Sequence, residues 1–327
     1  SRRNRSQNWT RSSSRSSGSD VDPAHLGEIP QGARHVPVLL REILSFAPIS
    51  TKRVLDATLG LGGHSHALLE AHPDATLLAF DRDDQALEIA SRRLATFAQR
   101  VELRHGDFRD GVKGIAPESL CYAIADLGVS SLQLDSKDRG FSFRFDAPLD
   151  MRMDPRSGRS ASDILNTASE KELEHILTEF GEEPKARAIA RSIVMERRTT
   201  RNWTTSAFSS LVRRDARGRP GLDPSTRAFQ ALRIATNAEL QGLDAGLEQL
   251  AGRLRPGGRL AVIAFHSLED RIVKNVLRSL KQSRAFEVLT PKPVVPSADE
   301  SRANPRARSA KLRVVEKRTQ NTSEAPR

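Results

Sequence analysis

The sequence predicts a doubly wound α/β fold, a mostly parallel sheet interrupted by a helical insertion. Three observations lead there. Short apolar runs ending in an acid alternate with amphipathic segments through the first third of the chain. That rhythm stops at Arg139–Asp154 and gives way to a helical pattern from Ala161 to about Ala235. A further apolar run, Arg259–Phe265, then resumes it. The expected organisation is a basic tail over 1–34, a sheet domain from 35–138 and 236–318, an inserted helical domain over 139–235, and a flexible end over 319–327.

The tail comes first. Ser1–Ser19 holds five arginines, eight serines and no acids, the composition of a solvated basic segment or an organelle transit segment. Order is expected from His35, with a short helix at Leu39–Phe46. Arg53–Asp56 reads as the first strand. It runs into a loop with Gly60, Gly62 and Gly63 and then a helix from His64 through Leu69. Glycines allow close backbone approach to a ligand, and a helix start favours polar or anionic groups. Taken alone, the loop is equally a tight turn. Ala75–Phe80 is the second strand, ending in Asp81, 25 residues after Asp56. An acid there can accept from both ribose hydroxyls of a nucleoside cofactor, or simply cap the next helix.

Asp83–Phe97 carries Leu87, Ala90, Leu94 and Phe97 on one helical face. Val101–Leu103 leads into Asp107-Phe108, and Leu120–Ala125 into Asp126. In the insertion, Leu173, Ile176, Leu177 and Phe180 form one stripe, and Ile189 and Ile193 another. Leu240 through Leu254 predicts an amphipathic helix stopped by Arg255-Pro256-Gly257-Gly258. The fifth strand ends in His266, and a helix follows with Ile272, Val273, Val276 and Leu280 buried. Phe286–Leu289 and Ala310–Val315 are expected to pair antiparallel at the edge, joined by a loop over Pro291–Arg308.

Composition narrows the function classes. The chain has 327 residues, 37% hydrophobic and 28% charged, with a formal net charge of +11. That balance favours a polyanionic partner, nucleic acid first. No apolar run approaches the ~20 residues of a membrane helix, which predicts a soluble protein. Cys121 is the single cysteine, which rules out an internal disulfide and a cysteine-rich zinc site. No metal site is expected, since His64 and His66 lack a matching ligand cluster. Pro184–Arg219 has ten Lys or Arg against two acids, with Trp203 inside it, and reads as a nucleic-acid surface.

The ends of four strands therefore carry candidates, and in a doubly wound sheet those ends line one crevice. An adenosine-containing cofactor is the expected occupant. A nicotinamide dinucleotide needs G-x-G-x-x-G, and the loop here is G-L-G-G-H-S without the third glycine. A seven-strand sheet with an antiparallel last pair, entered through L-R-P-G-G-R, looks like a Rossmann-like S-adenosylmethionine-dependent methyltransferase.

The motifs are more specific than that. H-V-P-V-L-L-R-E from His35, D-A-T-L-G-L-G-G-H-S from Asp56, A-F-D-R-D from Ala79 and D-L-G-V-S-S-L-Q-L-D from Asp126 resemble the RsmH/MraW family. So do R-G-F-S-F-R-F-D-A-P-L-D-M-R-M-D from Arg139, G-E-E-P-K-A-R-A-I-A from Gly181, F-Q-A-L-R-I-A-T-N-A-E-L from Phe229, L-R-P-G-G-R-L-A-V-I-A-F-H-S-L-E-D-R from Leu254 and N-P-R-A-R-S-A-K-L-R from Asn304. The resemblance runs from His35 to about Lys317. It implies methyl transfer from S-adenosylmethionine to the exocyclic amine (N4) of one cytosine in the decoding centre of small-subunit (16S-type) ribosomal RNA, near the P site, on assembled subunits. It implies cofactor contacts at Gly62, Gly63, His64, Asp81, Phe108, Asp126 and Gln133. The roles of His64 and Gln133 come from the resemblance only. A cytoplasmic setting is implied, with a mitochondrion or plastid as the alternative because of the Ser/Arg-rich tail. A homodimer is compatible with it.

For the chemistry, Asp126 is the first candidate to accept hydrogen bonds from the amine, with Ser130 and Ser131 as further candidates. The base must leave any stack to be reached. Phe141 and Phe143 alternate with Phe145 and offer a stacking face or ordinary core packing. Arg144, Trp203 and His266 complete the expected substrate contacts. The alternatives are an RNA-binding assembly factor that keeps the fold without activity, and a nicotinamide dehydrogenase.

Overall fold

The computed structural model describes residues 36–216 and 223–319. The tail expected over 1–34, His35 and the chain from 320 onward lie outside the described residues. Seven strands form one sheet: β1 (Arg53–Asp56), β2 (Thr76–Asp81), β3 (Val101–His105), β4 (Leu120–Asp126), β5 (Leu254–Ala264), β6 (Phe286–Val288) and β7 (Lys311–Lys317), in the order β3-β2-β1-β4-β5-β7-β6. β1 to β5 pair in parallel, and β7 runs antiparallel between β5 and β6. The order reverses between β1 and β4, so their carboxyl ends open a crevice there.

Alternation along each strand divides the core in two. Leu55, Leu78, Phe80, Ala123 and Val262 face one side, where they meet α11 (Leu243–Gly252) and α12 (Ser267–Gln282) through Leu247, Leu250, Val273 and Val276. Val54, Leu77, Tyr122, Ile124 and Ile263 face the other, over Leu68 and Leu69 of α2 (Gly63–Ala71) and Ala90 of α3 (Asp84–Arg93). Both faces of the strands are covered, which is why they read as continuous apolar runs. Ahead of β1 lies α1 (Leu40–Phe46). After β3 comes α4 (Phe108–Gly111), and after β4 comes α5 (Ser131–Asp135).

Between β4 and β5 the chain forms α6 (Ala161–Thr167), α7 (Glu170–Glu179), α8 (Ala186–Glu196), α9 (Thr205–Asp215) and α10 (Ser225–Asn237). Ser160, Ser169 and Thr204 cap three of them through their hydroxyls. These helices close a separate apolar cluster built on Leu173, Leu177, Ile189, Ile193, Phe208 and Leu232.

Three expectations about elements change. The helix leading to β5 ends at Gly252, and Arg255-Pro256-Gly257-Gly258 lies inside β5, where the register with β4 shifts between Leu120 and Tyr122. Gly258 is required there, since a Cβ would stand 2.8 Å from the Leu120 carbonyl oxygen. The segment Pro291–Arg308 is not a plain loop. Ser297 caps α13 (Ala298–Ala303), a short turn over Pro305–Ser309 follows, and Glu300 accepts from the Leu39 N–H at 2.7 Å. The helical face of 83–97 breaks after Arg93, and Phe97 then packs edge-on against His66 at 5.2 Å.

Candidate active site

The glycine loop is braced from beneath. Asp56 is buried at the end of β1, accepting from Ser65 Oγ at 2.6 Å and the Thr58 N–H at 3.2 Å, and burial pushes its carboxyl up. It therefore ties the loop to α2 and does not line the crevice. Gly62 has φ +74 and lies against Ala90, also away from the crevice wall. Gly63 opens α2 and lines the crevice, and a Cβ there would stand 2.4 Å from Pro37 Cγ. A proline ring cannot swing aside, so Gly63→Ala is expected to displace the loop and weaken cofactor binding about tenfold or more, measured by calorimetric titration with S-adenosylhomocysteine.

Asp81 ends β2 as expected. One carboxylate oxygen accepts from the Gly60 N–H at 2.7 Å and the other from the Asp83 N–H at 2.9 Å. Burial pushes this carboxyl up to about 6, against the pull of those two N–H groups. Ribose hydroxyls donate best to an ionised acid. Cofactor affinity should therefore fall as pH drops through about 6 and recover above it, and Asp81→Asn should abolish that dependence. Since the raised acid holds its proton where the unfolded chain has lost it, Asp81 itself contributes stability to the unliganded fold that grows from about pH 6 down towards the ordinary 3.8.

Asp107 caps α4 and is taken up by Arg109, whose Nε donates to it at 2.9 Å. Burial raises its carboxyl, yet Arg109 and Arg82 hold it below the usual range. This leaves the neighbouring Phe108 ring, 6% exposed, as an apolar wall of the crevice. At the end of β4 the Asp126 N–H donates to Thr58 Oγ1 at 2.7 Å, and His64 Nε2 stands 3.5 Å from Asp126 Oδ2. Asp126 Oδ1 and both ring nitrogens of His64 are buried and have no hydrogen-bond partner among the described residues. Ser130 caps α5 and exchanges hydrogen bonds with Gln133, while Ser131 is buried beside it. Gln133 also donates to Asp83 Oδ2 at 3.0 Å, so its amide is already engaged at both ends.

These side chains enclose one crevice of about 430 Å³ that the insertion helps to form, through Met153, Gln230 and Arg233. The expected substrate contacts separate. His266 lines the crevice, and Arg144 is exposed on the insertion. Phe141 and Trp203 do not present a stacking surface. Both are packed in the helical core, Trp203 only 2% exposed with its Nε1 donating to Asn166 Oδ1 at 3.1 Å. Phe143 packs edge-on against Phe229 at 5.0 Å, which leaves Phe145 as the exposed member of the three. The basic run is partly spent on structure. Arg197 donates to the Ala168 carbonyl at 2.6 Å and Arg213 to Asp223 at 2.7 Å, while Lys185, Arg187, Arg198 and Arg201 remain exposed.

Sequence reasoning missed several groups. Asp83 is buried and accepts from Arg139 Nη1 at 2.8 Å as well as from Gln133. Arg306 reaches across to Asp135 of α5. Glu239, His266 and Glu269 bring three ligand-type atoms within 4.8 Å of one another. Arg233 already engages Glu239 with hydrogen bonds at 2.9 and 2.8 Å.

The architecture so far leaves the family to be decided by similarity. The model of the MraW methylase family matches residues 32–318. The chain belongs to the MraW methylase family. Proteins named ribosomal RNA small subunit methyltransferase H align with it along most of their length. The one from Cyanothece sp. is 48% identical over 86% of this chain and 94% of its own. Those from Acidobacterium capsulatum and Sorangium cellulosum are 46% and 45% identical, over 87% and 90% of this chain and 99% and 96% of theirs. The methyl donor of this methylase is S-adenosylmethionine, and the residues present fit it. Asp81 offers two oxygens to a ribose, Phe108 an apolar wall to an adenine, and Gly63 with the start of α2 a close approach for the amino-acid end. No helix among the described residues is long and apolar enough to cross a membrane.

Proposed function

We propose that this methylase transfers a methyl group to the exocyclic amine (N4) of a cytosine in small-subunit ribosomal RNA, in the decoding centre near the P site. The names of its relatives support the RNA class. The observation that carries the reading is the shared crevice. Asp81 and Asp126 line one space, and Met153, Gln230 and Arg233 bring to its wall an insertion that carries exposed cations. The basic helices hold the RNA backbone, and the target base is turned out of its stack into the crevice.

Bound S-adenosylmethionine supplies a sulfonium methyl that is already electrophilic. The chain's work is alignment and desolvation. A cytosine amine is a weak nucleophile because its lone pair feeds the ring. The Asp126 carboxylate accepts a hydrogen bond from it, which turns the lone pair towards the methyl and favours loss of the proton as the bond forms. The neighbouring Ser130 already accepts the Gln133 N–H as the cap of α5, and its neutral hydroxyl is a weaker acceptor than the Asp126 carboxylate.

The test is incubation of purified small subunits with labelled methyl donor and the protein, followed by nucleoside mass mapping of the RNA. N4-methylcytidine at one position is the expected product. Binding of subunits without any transfer would instead make the protein an assembly factor on a methylase scaffold.

A further inference from the structure

Another wall of the crevice carries an arrangement the methyl-transfer chemistry above does not use. His266 caps α12, and its Nδ1 accepts from the Glu269 N–H at 3.4 Å. Glu269 Oε2 reaches back to the N–H groups of Phe265 and His266, at 2.8 and 3.3 Å. With Nδ1 an acceptor, the neutral ring carries its proton on Nε2. That nitrogen stands 3.0 Å from Glu269 Oε1, out of line for a hydrogen bond with it and without another partner among the described residues, so a donor and an acceptor lie side by side just behind the crevice surface. The two side chains are 9% and 2% exposed. Burial pushes the Glu269 carboxyl up, but His266, Arg233 and the Phe265 N–H together hold it below the usual range, so it stays ionised. Glu269 Oε1 also lies 3.9 Å from where a Cβ on Gly128 would stand, two residues beyond Asp126.

We propose that Glu269 Oε1 and His266 Nε2 read the edge of the target base, the carboxylate accepting from the exocyclic amine and the imidazole donating to the unprotonated ring nitrogen beside it. The inference rests on the amine-bearing acceptor proposed above. Cytosine presents that donor and acceptor next to each other. Uracil presents a carbonyl and a ring N–H in their place, so both hydrogen bonds would be lost and like groups would face each other. Adenine offers the same pair on a larger ring, which leaves the choice between pyrimidine and purine to the crevice walls. Asp126 would take the second hydrogen of the amine. Arg233 and Glu239 are positioning residues that hold the negative charge of this wall in place.

The test uses His266→Ser and Glu269→Gln in the full chain. Serine keeps the cap of α12, because a Ser followed three residues later by Glu is a capping pair, and it removes Nε2. Each variant is expected to lower kcat/KM for transfer to small subunits about ten- to a hundredfold, the range for losing a paired edge contact, with S-adenosylhomocysteine affinity unchanged within about twofold. Unlabelled subunits carrying uridine at the mapped position should compete poorly against the unmutated protein, and that preference for cytidine should collapse in both variants. Full transfer with the preference intact would overturn the proposal. So would loss of cofactor binding in step with transfer, which would mark the pair as structural. If the unmutated protein methylates a group other than an amine, the acceptor assignment fails first and takes this inference with it.

Discussion

Asp126→Ala should lower methyl transfer by about 10²- to 10⁴-fold, the usual range for losing a positioned acid–base group. It should change S-adenosylhomocysteine affinity by less than tenfold. The split follows from the geometry. The Asp126 backbone, fixed by its hydrogen bond to Thr58, still completes β4 in the variant, and the ribose is assigned to Asp81 instead. What disappears is a carboxylate that lines the crevice, one of whose oxygens is buried with no hydrogen-bond partner among the described residues. An unsatisfied buried acceptor is costly unless a ligand completes it. Asp126→Asn, which keeps one acceptor and loses the charge, should fall between the two. Single-turnover transfer measured beside calorimetric cofactor binding separates these effects. Near-normal transfer by the alanine variant would remove Asp126 from the chemistry.

Asp83→Ala should produce the largest loss of stability, about 3–5 kcal/mol by the precedent of buried ion pairs broken on one side. Asp83 is 1% exposed and holds three groups at once: Arg139 Nη1 at 2.8 Å, Gln133 Nε2 at 3.0 Å, and the Gln85 N–H at 3.1 Å, the last as the cap of α3. Its removal strands a guanidinium that is itself 10% exposed. Arg139 also donates to the carbonyls of Arg152 and Met153, so the strain passes to the segment that leads into α6. Denaturant midpoints check this, and the double variant Asp83→Leu with Arg139→Leu should lose less than Asp83→Ala alone, because no charge is left buried without a partner.

The legible parts of the chain were those where local pattern and tertiary role agree. Buried strands announced themselves as apolar runs because both sheet faces are covered, and Asp81 and Asp126 stood out because each ends such a run. The glycine loop was visible as a motif, but only the structure separates Gly63, which borders the crevice, from Gly62, which packs on Ala90. Trp203 reads as a surface group because an aromatic within a basic run suggests stacking, and Phe141, alternating with Phe143 and Phe145, reads equally as a stacking face or as core. In the fold they supply the mass of a small helical core, and composition does not record which way a side chain turns. Asp83 and Arg139 were hidden for another reason. Their partners lie far away in sequence, Arg139 being 56 residues from Asp83, and no local period encodes such a pairing. The turn at Pro305–Ser309 escaped because its Pro/Ser/Arg composition is that of a loop. The α13 cap before it did leave a signal, since Ser297 precedes Glu300 by three residues.

The central claim is that the methyl donor sits over the carboxyl end of the sheet, its ribose on Asp81, within reach of Asp126. Calorimetric titration of the protein with S-adenosylhomocysteine tests it most directly, run in parallel on Asp81→Ala. The account predicts one site per chain in the unmutated protein and affinity weakened by about a hundredfold in the variant, for the loss of two ribose contacts at an ionised group. No heat of binding, or equal affinity in the two proteins, would contradict it.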